Sequence, residues 1–424
     1  MGGGRESLLV PGSRRLLADV RPLRESVEFR WLWAGQSLSS IGSFMTTVTV
    51  AIQLYDLTGS SVAVGAVSLA SFLPTLALGL FGGSVADAVD RRRLVLVTST
   101  GLMVVSAVFA LQAVLDLRQV WLLYLLTAVG AALAAVDAPA RRTFLPRLLP
   151  PERIPAAAAL SQLSVQVTII AAPVLAGVLI ASAGLEAAYG LDVVTFVAVL
   201  YGVRKLRPMP PQGGGSAPGL RSVLEGLRYA TRHRLIAMIF LIDLNATVLA
   251  MPAALFPALA ATRFGGGPQT VGFLYAAIGV GGLVAAVLSG PLGHIRHQGR
   301  AMLLAVAVWG AAIGAVGLTR SLWVAFAALL LAGAVDIVTT VFRATILQVN
   351  TPDELRGRLN GLDFVVGLGG PKLGDVRAGG VAGLTDPVTS IIAGGAACVV
   401  GVIALAAASP VFRRYDARAT HDQG

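Results

Sequence analysis

The sequence is nearly empty of cysteine, poor in charge and poor in aromatic rings. A single thiol, Cys398, excludes a disulfide framework. With only four histidines (His233, His294, His297 and His421), no Cys/His cluster exists, so no metal site and no cofactor is expected. No Gly-x-x-x-x-Gly-Lys-Ser/Thr phosphate loop occurs, which excludes ATP as the energy source. Lysine is reduced to Lys205 and Lys372, the remaining cations being arginine. Charged residues make up 13% of the 424 and aromatics 6%, against 55% hydrophobic and a mean hydropathy of +0.77. A soluble domain of this length cannot hide so much apolar surface, so a soluble enzyme is excluded and a polytopic all-α membrane protein is expected. The 49 glycines suit close helix contact in lipid.

A bilayer core of about 30 Å takes about 20 apolar residues of helix. Twelve stretches meet that length: Trp31–Leu57, Val62–Val85, Leu94–Leu115, Val120–Val136, Ile154–Ala183, Ala187–Val203, Leu235–Ala261, Val271–Leu292, Met302–Leu318, Leu322–Val349, Leu359–Leu384 and Val388–Ala408. They are called spans 1 to 12 below. A connection rich in Pro, Gly and charge, residues 204–234, divides them six and six. The expected organisation is a tail (1–30), a six-helix bundle (31–203), the linker (204–234), a second six-helix bundle (235–408) and a C-terminal tail (409–424). Residues 1–30 carry six arginines and no apolar core of sufficient length, so a tail rather than a cleaved signal is expected there.

Arginine placement tests the count. With the N-terminus inside, 28 of the 33 cations fall on the inner side, and the outer loops hold only Arg118, Arg263 and Arg320. This bias predicts both termini in the cytoplasm and a location in the cell membrane. The net charge of +11 then follows from topology and contact with anionic lipid, and no nucleic-acid partner is expected.

Between spans 2 and 3 the chain runs Gly83-Ser84-Val85-Ala86-Asp87-Ala88-Val89-Asp90-Arg91-Arg92-Arg93. Two acids and three arginines in so short a connection suggest a charge latch between neighbouring helices. Asp87 lies at the end of span 2, where the start of span 11 and Arg142 are its expected partners. An acid near a helix N-terminus gains about 0.3–1 kcal/mol. The second half repeats this weakly: Gly290-Pro291-Leu292-Gly293 lines up with Gly83-Ser84-Val85-Ala86, Arg300 with Arg93, and Arg343 with Arg142, but His294 replaces the acid. Parallel repeats of this kind place a substrate site between halves near the midplane.

Twelve spans in two pseudo-symmetric bundles, with Gly83, Asp87, Arg91 and Arg92 in the loop after span 2, resemble the major facilitator superfamily. Ala88 departs from its loop pattern, which usually has a basic residue there. Gly272-Phe273-Leu274-Tyr275-Ala276-Ala277-Ile278 and Thr351-Pro352-Asp353-Glu354-Leu355-Arg356-Gly357-Arg358-Leu359-Asn360-Gly361 resemble the enterobactin exporter family, as does Leu255-Phe256-Pro257-Ala258-Leu259-Ala260. The resemblance implies a secondary active exporter of a siderophore-like or drug-like molecule that works by alternating access.

Acids inside apolar runs are the candidates for coupling. Asp243 (span 7) and Asp336 (span 10) each follow a run of apolar residues. A carboxylate at membrane depth costs about 2.5–3.5 kcal/mol on insertion scales and must face a cavity or a partner. Burial disfavours the charged form, which suits reversible protonation. Arg343, two turns after Asp336 on the same face, is the expected partner. In span 11, Gly369-Gly370-Pro371 is expected to interrupt the helix, with Lys372 and Asp375 one turn apart and able to pair; Asp375 is the third coupling candidate. Span 1 presents Gln36, Ser40, Ser43 and Thr47 on one face. Together with Gln162 and Gln166 of span 5, Asn245 of span 7, Lys372 and Arg343, these are the candidate cavity residues. The expected partners are a small amphipathic substrate, protons and lipid, and the chain is expected to act as a monomer. A general multidrug or macrolide pump and a non-transporting sensor of the same fold are the alternatives.

Overall fold

In the computed structural model, residues 19–207, 209 and 220–416 are described; within helices, the side chains of 80–88, 142, 220–223, 353 and 354 lie outside the described set. The described residues are helical, with no strand among them. Polar side chains fix several starts. Ser26 caps span 1 (Val27–Thr58) by accepting from the Phe29 N–H at 3.1 Å. Asp90 caps span 3 (Arg91–Val114) by accepting from Arg93 N–H, and Asp386 caps span 12 (Pro387–Ala408). Each satisfies donors that a helix start leaves orphaned. Gly59, at φ 61°, ends span 1 in the left-handed conformation that glycine adopts without strain.

Ten described helices are long and apolar enough to cross a membrane. One of them, within Ile154–Arg204, turns at Gly184 (φ 84°) and so supplies both span 5 and span 6. Asp353–Leu384 is 32 residues long and supplies span 11, although its charges keep its hydropathy low. The twelve-span architecture results. The remaining spans are Ser61–Ala88, Val120–Arg142, Arg234–Ala250 continuing as Phe256–Thr262, Pro268–Val287, Gln298–Leu318 and Leu322–Val349. Span 8 stops at Val287, short of the expected Leu292, because the chain enters a 3-10 turn at Gly290–His294.

The expected interruption of span 11 does not occur: its helix runs unbroken through Pro371. The break is in span 7, where Met251 is extended and a 3-10 turn, Ala253–Leu255, precedes the second segment. The residue before each proline bears on the difference without deciding it, since Pro74, Pro139 and Pro173 follow Leu73, Ala138 and Ala172 inside helices unbroken at those points. A proline ring clashes with the Cβ and N–H of its predecessor and pushes it out of the helical region. Met251 before Pro252 has that Cβ, whereas Gly370 before Pro371 has none.

The linker contains a helix, Leu220–Arg232, packed on the start of span 11. Glu225 pairs with Arg358 at 3.1 Å. Within the first half, span 1 packs on the helix of spans 5 and 6, and span 2 on span 4; within the second, span 9 packs on span 12 and span 8 on span 10. Between halves, span 5 meets span 8 and span 2 meets span 11. These seams are glycine-tight at the arginine-poor end of the bundle. A Cβ on Gly272 would stand 2.3 Å from the Pro173 carbonyl oxygen, and one on Gly379 2.4 Å from that of Ser61. Ala254, from the break in span 7, is buried within the core of the first half beside Leu54, Val64 and Tyr189.

Candidate functional site

Three groups of polar side chains lie inside the membrane-spanning region. In the second half, Arg343 of span 10 stands between two acids. Its Nη1 is 2.6 Å from Asp243 Oδ2 of span 7, and its Nε is 3.5 Å from Asp363 Oδ1 of span 11. Asp336, two turns earlier on span 10, is within Coulomb reach of both Asp243 and Arg343. Its own side chain is exposed. Arg343 therefore serves Asp243 and Asp363 rather than its helix-mate alone. Asp243 Oδ2, Arg343 Nη1 and Asp363 Oδ1 form no aligned hydrogen bond, so charge rather than geometry holds the contact. One guanidinium contacts two carboxyl groups and lies in the field of a third.

The second group closes the seam between halves. Asp375 of span 11 is buried and accepts from Ser68 Oγ of span 2 at 2.8 Å and from the Ala254 N–H at 3.1 Å. The span 7 break is what frees that N–H. The expected Lys372–Asp375 pair is not formed, because both carboxylate oxygens of Asp375 point to these other donors. Gly65 and Gly379 allow span 2 and span 11 to come this close.

In the first half, Asp192 of span 6 is 1% exposed and held by hydroxyls alone. Its Oδ2 accepts from Thr46 Oγ1 (2.8 Å) and Ser106 Oγ (2.7 Å), and its Oδ1 from Thr195 Oγ1 (3.3 Å). It borders a cavity of about 230 Å³ among spans 1, 2, 3, 4 and 6, and Lys372 of span 11 reaches into the same cavity. Asp192 and Asp363 are absent from the residues singled out in the sequence, although both lie inside expected spans; Asp363 follows Asn360 and Gly361 rather than an apolar run, so the rule that selects Asp243 and Asp336 passes it over.

The other expected residues distribute as follows. Ser43 and Thr47 line the cavity. Ser40 and Gln162 are exposed, Gln166 is half-buried near Gly282 of span 8, and Gln36 is half-buried with an Nε2 that has no hydrogen-bond partner. Asn245 does not face the cavity. It is buried against span 12, where its Nδ2 donates to the Cys398 carbonyl at 2.9 Å. The side chains of Gly83, Asp87 and Arg142 lie outside the described residues, so the latch proper is not visible; the span 2 helix runs past Asp87 to Ala88.

What is visible of the loop is an anchor within the first half. Arg92 donates to the Val203 and Arg204 carbonyls at the end of span 6, where a cation also offsets the helix dipole. The Asp90 carboxylate accepts from the Met209 N–H at 2.8 Å, and the Arg91 N–H donates to the Met209 carbonyl. Arg91 is buried. Burial, with the Arg91 guanidinium close by, pushes Arg147 in the next loop below its ordinary value. Arg141 pairs with Asp137 on its own helix, and Asp137 accepts from Thr98 Oγ1 at 2.6 Å, which ties span 4 to span 3. His294 and His297 are exposed.

Residues 18–422 match the family described as transmembrane secretion effector. The chain is 28% identical over 391 residues to the enterobactin exporter EntS of Shigella boydii, which spans 92% of this chain and 94% of that protein. Solved transporter structures share the fold, two of them as follows. The nucleoside transporter NupG superposes with a TM-score of 0.72 at 13% identity, covering 90% of this chain and 98% of that one. A bacterial homologue of the iron transporter ferroportin, crystallised in its inward-facing state, gives 0.66 at 18% identity, covering 89% and 98%.

Proposed function

The chain belongs to the transmembrane secretion effector family of major facilitator transporters, and on that premise we propose that it is a proton-coupled exporter of a small amphipathic molecule. The observation that carries the coupling is the set of three carboxyl groups around Arg343 at membrane depth. Acids that share one guanidinium compete for it through Coulomb attraction. When all are ionised, Arg343 binds spans 7, 10 and 11 together. A proton on one of them releases the guanidinium towards the others and loosens that tie.

Span 11 carries the signal. Asp363 and Asp375 lie on one unbroken helix, about 18 Å apart at 1.5 Å per residue. A shift at Asp363 is thereby delivered to the hydrogen bonds that Asp375 makes to Ser68 and Ala254. In this reading the arginine-rich end is cytoplasmic, both termini are inside, and the cell membrane is the site of action. The seams at Asp375 and Gly272 then close the outer end, and the substrate enters from the cytoplasm. Asp87 and Arg142 act as the opposing latch at the inner end.

The likeness to an enterobactin exporter favours a siderophore-like substrate. The largely apolar cavity wall (Val50, Val67, Val105, Phe109, Leu126 and Phe196) favours the second reading, a broader drug efflux pump. A metabolite comparison of a deletion strain with its parent, with and without iron limitation, separates them. Intracellular build-up of an iron chelator supports the first, and altered drug susceptibility alone supports the second. Export of the accumulated compound by proteoliposomes should then follow an imposed pH gradient. Full gradient dependence in both Asp243→Asn and Asp336→Asn would refute the coupling.

A further inference from the structure

Lys372 is the one lysine inside a span, and its surroundings define a ligand. Among the described residues its ammonium makes no hydrogen bond or ion pair. The acid one turn away, Asp375, is committed to Ser68 and Ala254. The acid in the same cavity, Asp192, is covered by three hydroxyl donors. These hydroxyls draw its charge into the wall, whereas the cation has only the field of Asp375, without a contact at ion-pair distance. An ionised side chain at this depth requires a partner. The cavity supplies the room for one. It holds about 230 Å³, and its walls combine Ser43, Thr47 and Ser71 with apolar side chains that include Phe109 and Phe196.

We propose that this cavity binds an amphipathic organic anion, with its acidic group on the Lys372 ammonium and its ring or chain against Val105, Phe109, Leu126 and Phe196. The proposal rests on the exporter reading and narrows its substrate to anions. Lys372 comes from the second half, while the walls come from the first. An anion on Lys372 therefore bridges the halves. A cationic or neutral molecule of the same shape gains the apolar contact but leaves Lys372 unpaired.

The test uses 2-naphthoate and its neutral isostere 2-naphthamide, each small enough for one ring system, with purified full-length protein in lipid nanodiscs and equilibrium dialysis. The wild type should bind 2-naphthoate at least about tenfold more tightly than 2-naphthamide. Lys372→Met should abolish that preference and leave 2-naphthamide binding unchanged. Lys372→Arg, which keeps the charge, should restore it and controls for folding. Equal binding of the two probes by the wild type, or an anion preference that survives in Lys372→Met, overturns the proposal. Gradient-driven movement of 2-naphthoate in proteoliposomes is measured separately. Its absence with the Lys372-dependent preference intact counts against the exporter reading and leaves the anion site standing.

Discussion

The two halves solve the same problem differently. Each must hold a carboxylate at membrane depth. The first half surrounds Asp192 with three neutral hydroxyls, each at hydrogen-bond distance. The second half sets Asp243, Asp336 and Asp363 about a single guanidinium, without aligned hydrogen bonds. Hydroxyls that donate to a carboxylate are satisfied in one arrangement and have nothing to exchange. A guanidinium shared by several acids has more than one arrangement of similar energy. In the proposed mechanism the first half is therefore a fixed wall, and the second is the element able to switch.

Removing Arg343 tests this contrast most severely. Arg343→Met leaves the buried Asp243 unpaired, and breaking a buried ion pair typically costs about 3–5 kcal/mol. A large drop in melting temperature in detergent is expected, with Arg343→Lys falling between it and the wild type. The seam comes next. Asp375→Ala deletes one hydrogen bond between halves, from Ser68, and a second from Ala254 within the second half, and a buried donor left unpaired costs about 1–3 kcal/mol. With Cys398→Ala as background and a cysteine at Val67 in the cavity wall, Asp375→Ala should raise labelling by an impermeant maleimide added from the arginine-poor side.

Asp192→Asn should be milder. The amide keeps an acceptor for the hydroxyls, so a stability loss of about 1 kcal/mol and unchanged gradient dependence are expected. The smallest effect belongs to His294→Ala, an exposed position, where the change should stay within about 0.5 kcal/mol. Asp87→Asn should impair transport more than His294→Ala does, and equal transport rates in the two would remove the asymmetry of the loops.

Composition and arginine placement were enough to read the spans, because both are sums over many residues. The place of the helix break was not legible from proline alone: the helices run unbroken through Pro74, Pro139, Pro173 and Pro371, whereas the chain leaves the helix at Met251 before Pro252. Partners across helices were the least legible. Asp336 and Arg343 share a face of one helix, yet the closest acids to Arg343 come from spans 7 and 11. Lys372 and Asp375 are one turn apart and bond elsewhere, because tertiary donors outcompete a helix neighbour that gains only a few tenths of a kcal/mol, about 0.2–0.5. Asn245 carries the same polar signal as Ser43 but points to span 12, a matter of helix rotation that spacing in a uniformly apolar span does not encode.

The central claim is that the acids around Arg343, and not Asp192, couple protons to transport. Its most direct measurement is the initial rate of export in proteoliposomes with and without an imposed pH gradient, for wild type, Asp192→Asn, Asp243→Asn and Asp336→Asn. The account predicts that the gradient accelerates the wild type and Asp192→Asn alike, and that at least one of Asp243→Asn and Asp336→Asn no longer responds. A full response in both second-half variants, or its loss in Asp192→Asn alone, would contradict it.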